Sequence, residues 1–567
     1  MITVRIEQTT VSEIVRRAVE GLVNIPEFQR EFVWDPEKVK LLAESLYRNY
    51  PIGSFLFWES PDYREPQTVQ GSQPQHWIVD GQQRITALCL LLGQKPYWWP
   101  DAEDWNEALN RYDIMVNLLT EDEDDQLEFA LPNPIRRQDP CWINLREILS
   151  LRDVGRLATL AQEKANQVVT EADEKVFQKV LRRMHRLWRI REQPIPIITI
   201  SHEVEDVAEI FARLNQAGTR VKEADVVLAL AAVRNPGWVR EDYLPFRNDL
   251  EERGWDLDAG IFIRTMTGIG CGRARLREVP RDFWNPEKLP SIWEKTTQCI
   301  SEVLLRLAQF GITSDELLPS VNSLIPLFVL HYRWGEGRDY SFSRALRWFL
   351  LANRDGRYSG SAITALDEDV RTITEAETFE KALEGLEQRL RVSPTIAGEE
   401  FLNRYDRLGN RFLRLMLYLL LFDREATDWV DGTRLGYDRT GSAIVAGFQP
   451  QWHHIYPRSV LRRKGKRDDE IHALANITVL NERTNVSKLA DKGPWDYIQR
   501  YKISQEALEK HLIPARFAEV VGTDRLKEQW DVQNYDDFLL ERAQLLAEEA
   551  NKFLERLKRG ESMPRAR

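Results

Sequence analysis

The stretch that most constrains the fold is HWIVDGQQRITALCLLLG, from His76 to Gly93. An apolar run ends at Asp80, Gly81 follows, and the next eleven residues have the apolar content of a buried helix. This pattern predicts a strand, a tight glycine turn and a helix, and so an α/β layer in the first part of the chain. Backbone N–H groups and the positive end of the helix dipole meet at such a turn, which makes it a candidate anion site.

The side chains of this turn suit a phosphate ligand. Arg84 carries a permanently charged fork that matches phosphate geometry, and Gly81 lets the backbone approach a ligand closely. Asp80 is positioned to hold a metal ion, a ribose hydroxyl or a water molecule. The alternative interpretation, a helix cap with an arginine salt bridge, stays open.

A second unusual stretch is FQPQWHHIYPRSVLRRKGKR, residues 448–467. It contains adjacent histidines, His453 and His454, in a chain that has only 8 histidines and a net charge of -11. Residues 451–500 hold ten Lys or Arg against six Asp or Glu, a net charge of +4. The stretch is therefore a solvated surface, a metal site, or a place where a metal ion and a phosphate meet.

The order of polar residues favours the third interpretation. A predicted strand presents His453 and His454, a basic loop follows, and the segment LANITVLNERTNVSKLADK, which contains Asn476 and Asn485, gives a second strand that runs into a helix. Strand, loop, strand and helix around a histidine and two asparagines is the pattern of an HNH, or ββα-metal, nuclease. A neutral imidazole takes a proton from water, and an amide oxygen is an acceptable ligand for Mg²⁺ or Mn²⁺.

The whole chain is predicted to be α+β, mostly helical and multidomain, because 567 residues exceed one ordinary core. We expect an α/β domain over residues 1–235, a helical connecting region over 236–400, and a nuclease domain over 401–567 with its core at 448–500. No apolar run reaches the ~20 residues of a membrane span, and the chain opens without a leader pattern. The four cysteines are scattered, so a cytoplasmic location is expected.

The first region resembles a known family. DGQQR after a strand, preceded by IPEFQREFVW and followed by IFARLNQAGTRV, resembles the N-terminal domain of GmrSD-type modification-dependent restriction proteins. The resemblance implies a ParB/sulfiredoxin-like fold that binds and hydrolyses a nucleoside triphosphate (GTP, UTP or ATP). It places the nucleotide against seven residues: Gln29, Arg30, Asp80, Gly81, Gln82, Gln83 and Arg84. In the segment 211–221, Asn215 and Gly218 are the most motif-like positions.

The second stretch resembles the HNH domain that follows in the same family. The resemblance implies that His454 is the general base, His453 and Asn485 are metal ligands, and Asn476 holds the loop that carries the base. It also places Lys488 (or Lys492) against the scissile phosphate. His453 stands where Asp is common, so Mg²⁺, Mn²⁺ or a softer ion remains open. The predicted DNA-binding residues are Arg458, Arg462, Arg463, Lys464, Lys466 and Arg467, while His472 is expected to be structural.

Together the two resemblances imply a nucleotide-responsive, modification-dependent DNA endonuclease or nickase of antiphage defence. The expected substrate is double-stranded DNA of phage or modified DNA, with glucosylated cytosine and phosphorothioate as the marks known in the family. Two alternatives stay open: a nucleotide-binding DNA-modification sensor with an inactive nuclease site, and a ParB-type DNA-binding module without hydrolysis. The oligomeric state is open as well, a homodimer included.

Overall fold

A computed structural model describes most of the chain: residues 3–25, 32–59, 76–100, 103–120, 127–168, 174–202, 207, 210, 223–359, 362–481 and 493–561. The chain forms two compact units, Met1–Arg240 and Glu241–Arg567. Strands and helices occur in both, with helices in excess, so the predicted α+β and mostly helical character is confirmed. The ParB/sulfiredoxin-like and HNH assignments, and the boundary near residue 400, stay predictions. No helix in the described ranges is long and apolar enough to cross a membrane.

A five-stranded mixed sheet organises the described part of the first unit. Its strands lie in the order β1-β8-β3-β4-β2, with β3 antiparallel to β4 and parallel to β8. Their bounds are Val4–Thr10 (β1), Val23–Asn24 (β2), Phe55–Trp58 (β3), His76–Asp80 (β4) and Pro194–Ile200 (β8). A smaller sheet has the order β6-β5-β7, with bounds Met115–Asn117 (β5), Glu128–Ala130 (β6) and Trp142–Asn144 (β7).

Helices cover the face of the large sheet that carries the main core. Asp35 caps the second helix by accepting from Lys38 N at 2.9 Å, and Gly81 precedes the third helix, as the strand, glycine turn and helix pattern predicts. The bounds are Val11–Val19 (α1), Pro36–Tyr47 (α2), Gln82–Leu92 (α3), Trp105–Arg111 (α4), Pro134–Gln138 (α5), Leu145–Leu149 (α6), Val154–Val168 (α7), Glu174–Trp188 (α8) and Glu223–Arg234 (α9), with a 3-10 turn at Arg189–Glu192.

The second unit begins with a helical array. After a π-helical turn at Val239–Tyr243, its helices are Leu244–Glu252 (α10), Ala259–Cys271 (α11), Leu289–Gln309 (α12), Leu324–Trp334 (α13), Phe342–Asp355 (α14), Ala362–Glu375 (α15), Phe379–Glu387 (α16) and Arg411–Asp423 (α17). Short 3-10 turns occur at Leu276–Glu278, Arg281–Trp284, Asp315–Leu317, Val321–Ser323, Gly398–Leu402 and Leu408–Asn410. The interior of α17 is buried along nearly its whole length, which fixes its position beneath the strands that follow.

Two antiparallel strands, Gln451–His454 (β9) and Ile477–Leu480 (β10), then form a hairpin whose connection is partly helical. The connection was predicted to be a loop, but it contains Arg458–Arg463 (α18) and Asp468–Ile471 (α19), because Val460 and Leu461 are buried and Gly465, at φ 76°, ends the first turn. A 3-10 turn spans Leu474–Asn476. Further helices are Pro494–Tyr501 (α20), Gln505–Lys510 (α21), Ala515–Ala518 (α22), Leu526–Gln529 (α23) and Tyr535–Lys558 (α24), with a 3-10 turn at Val532–Asn534.

Candidate functional site

The turn between β4 and α3 depends on its glycine. Gly81 has φ 104°, a left-handed conformation that side chains disfavour, and a Cβ there would overlap the Phe55 ring. The helix starts without a side-chain cap, and its first complete backbone bond runs from Ile85 N to Gly81 O. The turn therefore has the geometry of an anion site built from backbone.

The Arg84 guanidinium is hydrogen-bonded to other groups of the protein. Its Nη2 donates to Asp80 Oδ2 at 2.8 Å and to Ser54 O at 3.1 Å, and its Nη1 donates to Ile52 O at 2.6 Å. The guanidinium also lies 5.2 Å from the centroid of the Phe55 ring. This geometry favours the alternative interpretation of Arg84, a salt bridge that braces the turn, over a fork aimed at phosphate.

The two glutamines of the motif lie in the first turn of α3. Gln82 is buried, and Gln83 Oε1 accepts from Val33 N at 2.9 Å, which ties the helix start to the end of the IPEFQREFVW segment. Gln29 and Arg30 lie outside the described residues, as does the segment 211–221. The structure thus brings five of the seven predicted nucleotide-binding residues together around one turn.

The hairpin of β9 and β10 gives the two adjacent histidines different surroundings. His453 is opposite Thr478 and is buried, with the rings of Trp429 and Tyr497 edge-on at 6.1 and 6.2 Å. His454 is opposite Ile477 and is only partly buried. Because successive side chains of a strand point to opposite faces, the two imidazoles do not share one set of neighbours.

Asn476 closes the connection between the strands. It is fully buried, its Oδ1 accepts from Tyr456 N at 2.9 Å, and its Nδ2 donates to Tyr456 O at 3.1 Å and Ile471 O at 2.9 Å. Its own carbonyl accepts from Ile455 N at 2.8 Å. One side chain therefore fixes the backbone just after His454, which is the position that its predicted role requires.

His454 contacts a residue that the sequence did not single out. Its Nε2 lies 3.1 Å from Nδ1 of His472, and the Tyr405 ring lies edge-on to His454 with centroids 5.5 Å apart. Burial, followed by the proximity of His472 and of the Arg458 charge, lowers the pKa of His454 to about 3, and burial also lowers the pKa of His472. Both imidazoles are neutral near pH 7, the form in which His454 accepts a proton.

A buried arginine supports the hairpin from the last long helix. Arg542 of α24 is fully buried and donates to four carbonyl oxygens, those of Ala475, Ile477, His511 and Leu512, at 2.8–3.1 Å. Burial lowers its pKa to about 9. Sequence reasoning missed Arg542 and Tyr405, which lie far from the motif along the chain, and it assigned His472, four residues before Asn476, a structural role without its contact to His454.

The predicted DNA-binding cations fall into two groups. Arg462, Lys466 and Arg467 pair with Asp468, Asp536 and Glu470 at 3.3, 2.5 and 3.0 Å. Arg458, Arg463 and Lys464 are exposed and form no ion pair with any described residue. The second group has uncompensated charge and is the better candidate for phosphate contact.

The residues predicted to form the metal site are only partly among the described residues. His453 is described, whereas Asn485 and Lys488 (with Lys492) lie outside the described residues. Within the described ranges, His, Cys, Asp and Glu side chains form no group of three or more that could hold an ion. The described donors therefore amount to one of the two predicted ligands.

Two comparisons with known proteins bear on these sites. Residues 11–232, which include the β4–α3 turn, match the family described as "GmrSD restriction endonuclease, N-terminal domain" and support a GmrSD-type family for this region. The chain is also similar to "Uncharacterized protein MJ0686" of Methanocaldococcus jannaschii, with 21% identity across 94% of this chain and 97% of the relative. That similarity extends through the β9–β10 hairpin, so both candidate sites lie in a region shared with the archaeal protein.

Proposed function

We propose that the chain is a DNA endonuclease of restriction type, in which the β9–β10 hairpin cuts a phosphodiester and the N-terminal unit binds a nucleoside triphosphate. The match of residues 11–232 to a restriction endonuclease domain supports a nuclease acting on DNA. The observation that carries the chemistry is the His454 hairpin, where a neutral imidazole sits on a backbone fixed by Asn476, next to an unpaired Arg458.

His454 would act as the general base. At neutral pH its ring is uncharged because burial and neighbouring cations disfavour protonation. A phosphodiester bound beside it brings negative charge, which raises the pKa toward the working range and improves proton abstraction from water. Arg458 would contact the same phosphate, since its charge already acts on His454 and it has no described carboxylate partner.

His453 is the described residue that would hold a divalent ion, with Asn485 as the proposed second ligand. When bound, such an ion supplies charge neutralisation at the phosphate and at the leaving oxygen. The remaining work belongs to the chain: Asn476 fixes the His454 backbone, His472 restricts the ring of His454, and Arg458 positions the phosphodiester.

The nucleotide would bind at the β4–α3 turn through backbone amides. Arg84 is already engaged, so we assign it a positioning role: it holds Asp80 and the Ile52–Ser54 segment in place. Asp80, which keeps one carboxylate oxygen outside this bond, is the residue we expect to act on the nucleotide or its metal ion. Nucleotide hydrolysis would then report DNA modification to the nuclease.

The test is nicking of supercoiled plasmid by the wild type, His454→Ala and the control His185→Ala, a partly exposed histidine in α8. Each protein is assayed with Mg²⁺ or Mn²⁺ on unmodified, phosphorothioated and glucosylated DNA, with and without nucleoside triphosphate. We expect His454→Ala to lose a factor of about 10²–10⁴ in rate, as removal of a general base does, and the control to retain activity. If wild type and His454→Ala are equally inactive on every substrate, the nuclease assignment is overturned and the sensor alternative is favoured. Equal and measurable nicking by both would overturn His454 as the general base.

A further inference from the structure

A cationic surface that the sequence motifs do not include borders the His454 hairpin. The segment 403–405 is pinned to residues 472–474: Leu474 N donates to Asn403 O at 2.9 Å, and Tyr405 N donates to His472 O at 2.9 Å. The chain then passes through a short turn at Leu408–Asn410 into α17. Tyr405 of this segment is therefore held beside His454, with ring centroids 5.5 Å apart.

Arg411 and Arg414 project from the first turn of α17. Arg411 donates to a neutral group, Glu316 O, at 3.1 Å, and the Arg414 guanidinium lies 5.9 Å from the ring centroid of Trp452 in β9. Neither arginine pairs with a carboxylate of any described residue. Burial, followed by the charge of Arg411, lowers the pKa of Arg414, while Tyr405 and Asp406 act in the opposite direction.

The stability of α17 does not explain why Arg411 and Arg414 stand at its start. The N-terminal turn of a helix favours anions, and like charges three residues apart repel each other, so arginines there weaken α17. The buried apolar residues from Phe412 onward stabilise α17. Two cations that form no ion pair with a described carboxylate, at an unfavourable position and next to a predicted phosphodiester site, indicate a polyanion as their partner.

We propose that Arg411 and Arg414 extend the site of Arg458 into a binding surface for the backbone of duplex DNA. Arg458 acts electrostatically on His454 and Tyr405, and Arg414 acts on Tyr405, so these two cations lie beside one aromatic and imidazole cluster. Arg411 acts in turn on Arg414. The proposal rests on the nuclease function and identifies how that site holds its substrate.

Leu408 adds an apolar contact to this surface. Its side chain is 85% exposed in the turn Leu408–Asn410, between Arg407 and Gly409. An apolar side chain among cations is the arrangement with which proteins wedge between base pairs in the minor groove. Leu408 therefore serves to reach the groove while the arginines hold the backbone.

The experiment measures binding of the full chain to a 30-base-pair duplex by fluorescence anisotropy, without divalent metal, over a series of salt concentrations. The variants are Arg411→Gln, Arg414→Gln, Arg414→Lys and Leu408→Ala. The charge-matched control is Arg338→Gln, an exposed arginine of the same unit that forms no ion pair with any described residue. Unfolding midpoints are recorded for each.

We expect each arginine-to-glutamine change to raise Kd by roughly 3–10-fold at 0.1 M salt and to reduce the salt slope by about 1, with unchanged midpoints. Arg414→Lys should restore the slope, and Leu408→Ala should raise Kd without altering the slope. Wild-type Kd and slope in both glutamine variants, together with His454-dependent nicking, would overturn this surface while the nuclease function stands. Weakened binding without any nicking would instead retain the surface and reject the nuclease.

Discussion

At the turn after β4 the cation of the motif, Arg84, is bound by the protein itself, whereas around His454 the cations Arg414 and Arg458 have no carboxylate partner among the described residues. At the β4–α3 turn the charged side chain of Arg84 holds the local backbone in place, so the groups left for a ligand are backbone amides. The site around His454 has its geometry fixed by a neutral side chain, Asn476, and so keeps cations available. In both sites the polar residue that fixes the geometry, Arg84 or Asn476, is not the group that would contact the ligand.

The difference follows from where burial is complete. Asn476 is fully buried and meets all three of its hydrogen bonds within the protein, so it needs no ligand to be stable. Arg84 is partly exposed, and its ion pair with the more exposed Asp80 contributes little by itself. Most of its effect comes from the two carbonyl bonds that tie the Ile52–Ser54 segment to the helix start.

The largest expected effect is that of Asn476→Ala. The change leaves Tyr456 N and two carbonyl oxygens without their partner in a buried place, which costs about 3–5 kcal/mol of the free energy of unfolding. Hydrogen exchange of peptides from residues 451–480 in the full chain measures it, and nicking should be lost as well. The control Asn403→Ala removes one exposed bond, to Glu400 O, and should cost under about 0.5 kcal/mol. Equal effects would show that the hairpin is not held by Asn476.

A second change tests whether Arg84 builds its site or serves a ligand. Arg84→Met removes both carbonyl bonds and the Asp80 pair, so we expect a loss of about 2–3 kcal/mol in the opening of the turn, measured by hydrogen exchange of residues 76–93. Arg156→Met, which breaks an exposed pair with Asp153 at 4.0 Å, is the control and should cost under about 0.5 kcal/mol. Unchanged protection with a large fall in nucleotide affinity would reverse the assignment and make Arg84 a ligand.

The sequence predicted the local parts of both sites and not the contacts between distant segments. Strand, glycine turn and helix at residues 76–93 follow from periodicity and from one residue that tolerates a positive φ, so they were predictable. The contact of His454 with His472 required the two short helices between them, and the support from Arg542 comes from the last long helix. Such contacts leave no periodic signal in the chain, because they depend on how separate elements pack.

We also expect the stability of the second unit to depend more strongly on pH than that of the first unit, and this difference should be smaller than the effects of the two substitutions above. His511 is fully buried: its Nε2 donates to Thr427 O at 2.8 Å, so its Nδ1 accepts from the Thr478 hydroxyl at 2.7 Å, and the ring is neutral. Burial lowers its pKa to about 3, with the charges of Arg542 and His453 acting in the same direction. His331, His454 and His472 of the same unit also have lowered pKa values, whereas His76 is the described histidine of the first unit with that shift.

The sign follows from proton binding in the two states. Below the ordinary histidine pKa of 6.5, His511 binds a proton in the unfolded chain, but in the folded chain it stays neutral down to about pH 3. The contribution of His511 to the free energy of unfolding is therefore fully present above pH 6.5 and decreases as the pH falls. Between pH 7 and pH 5 this amounts to about 2 kcal/mol for His511. Hydrogen exchange in a urea series, corrected for intrinsic rates and with chelator present, should show residues 505–515 losing more protection than residues 76–93. His511→Gln should be less stable at pH 7 yet flatter with pH; a slope equal to that of the wild type would mean that His511 is not the group that makes the second unit the more acid-sensitive of the two.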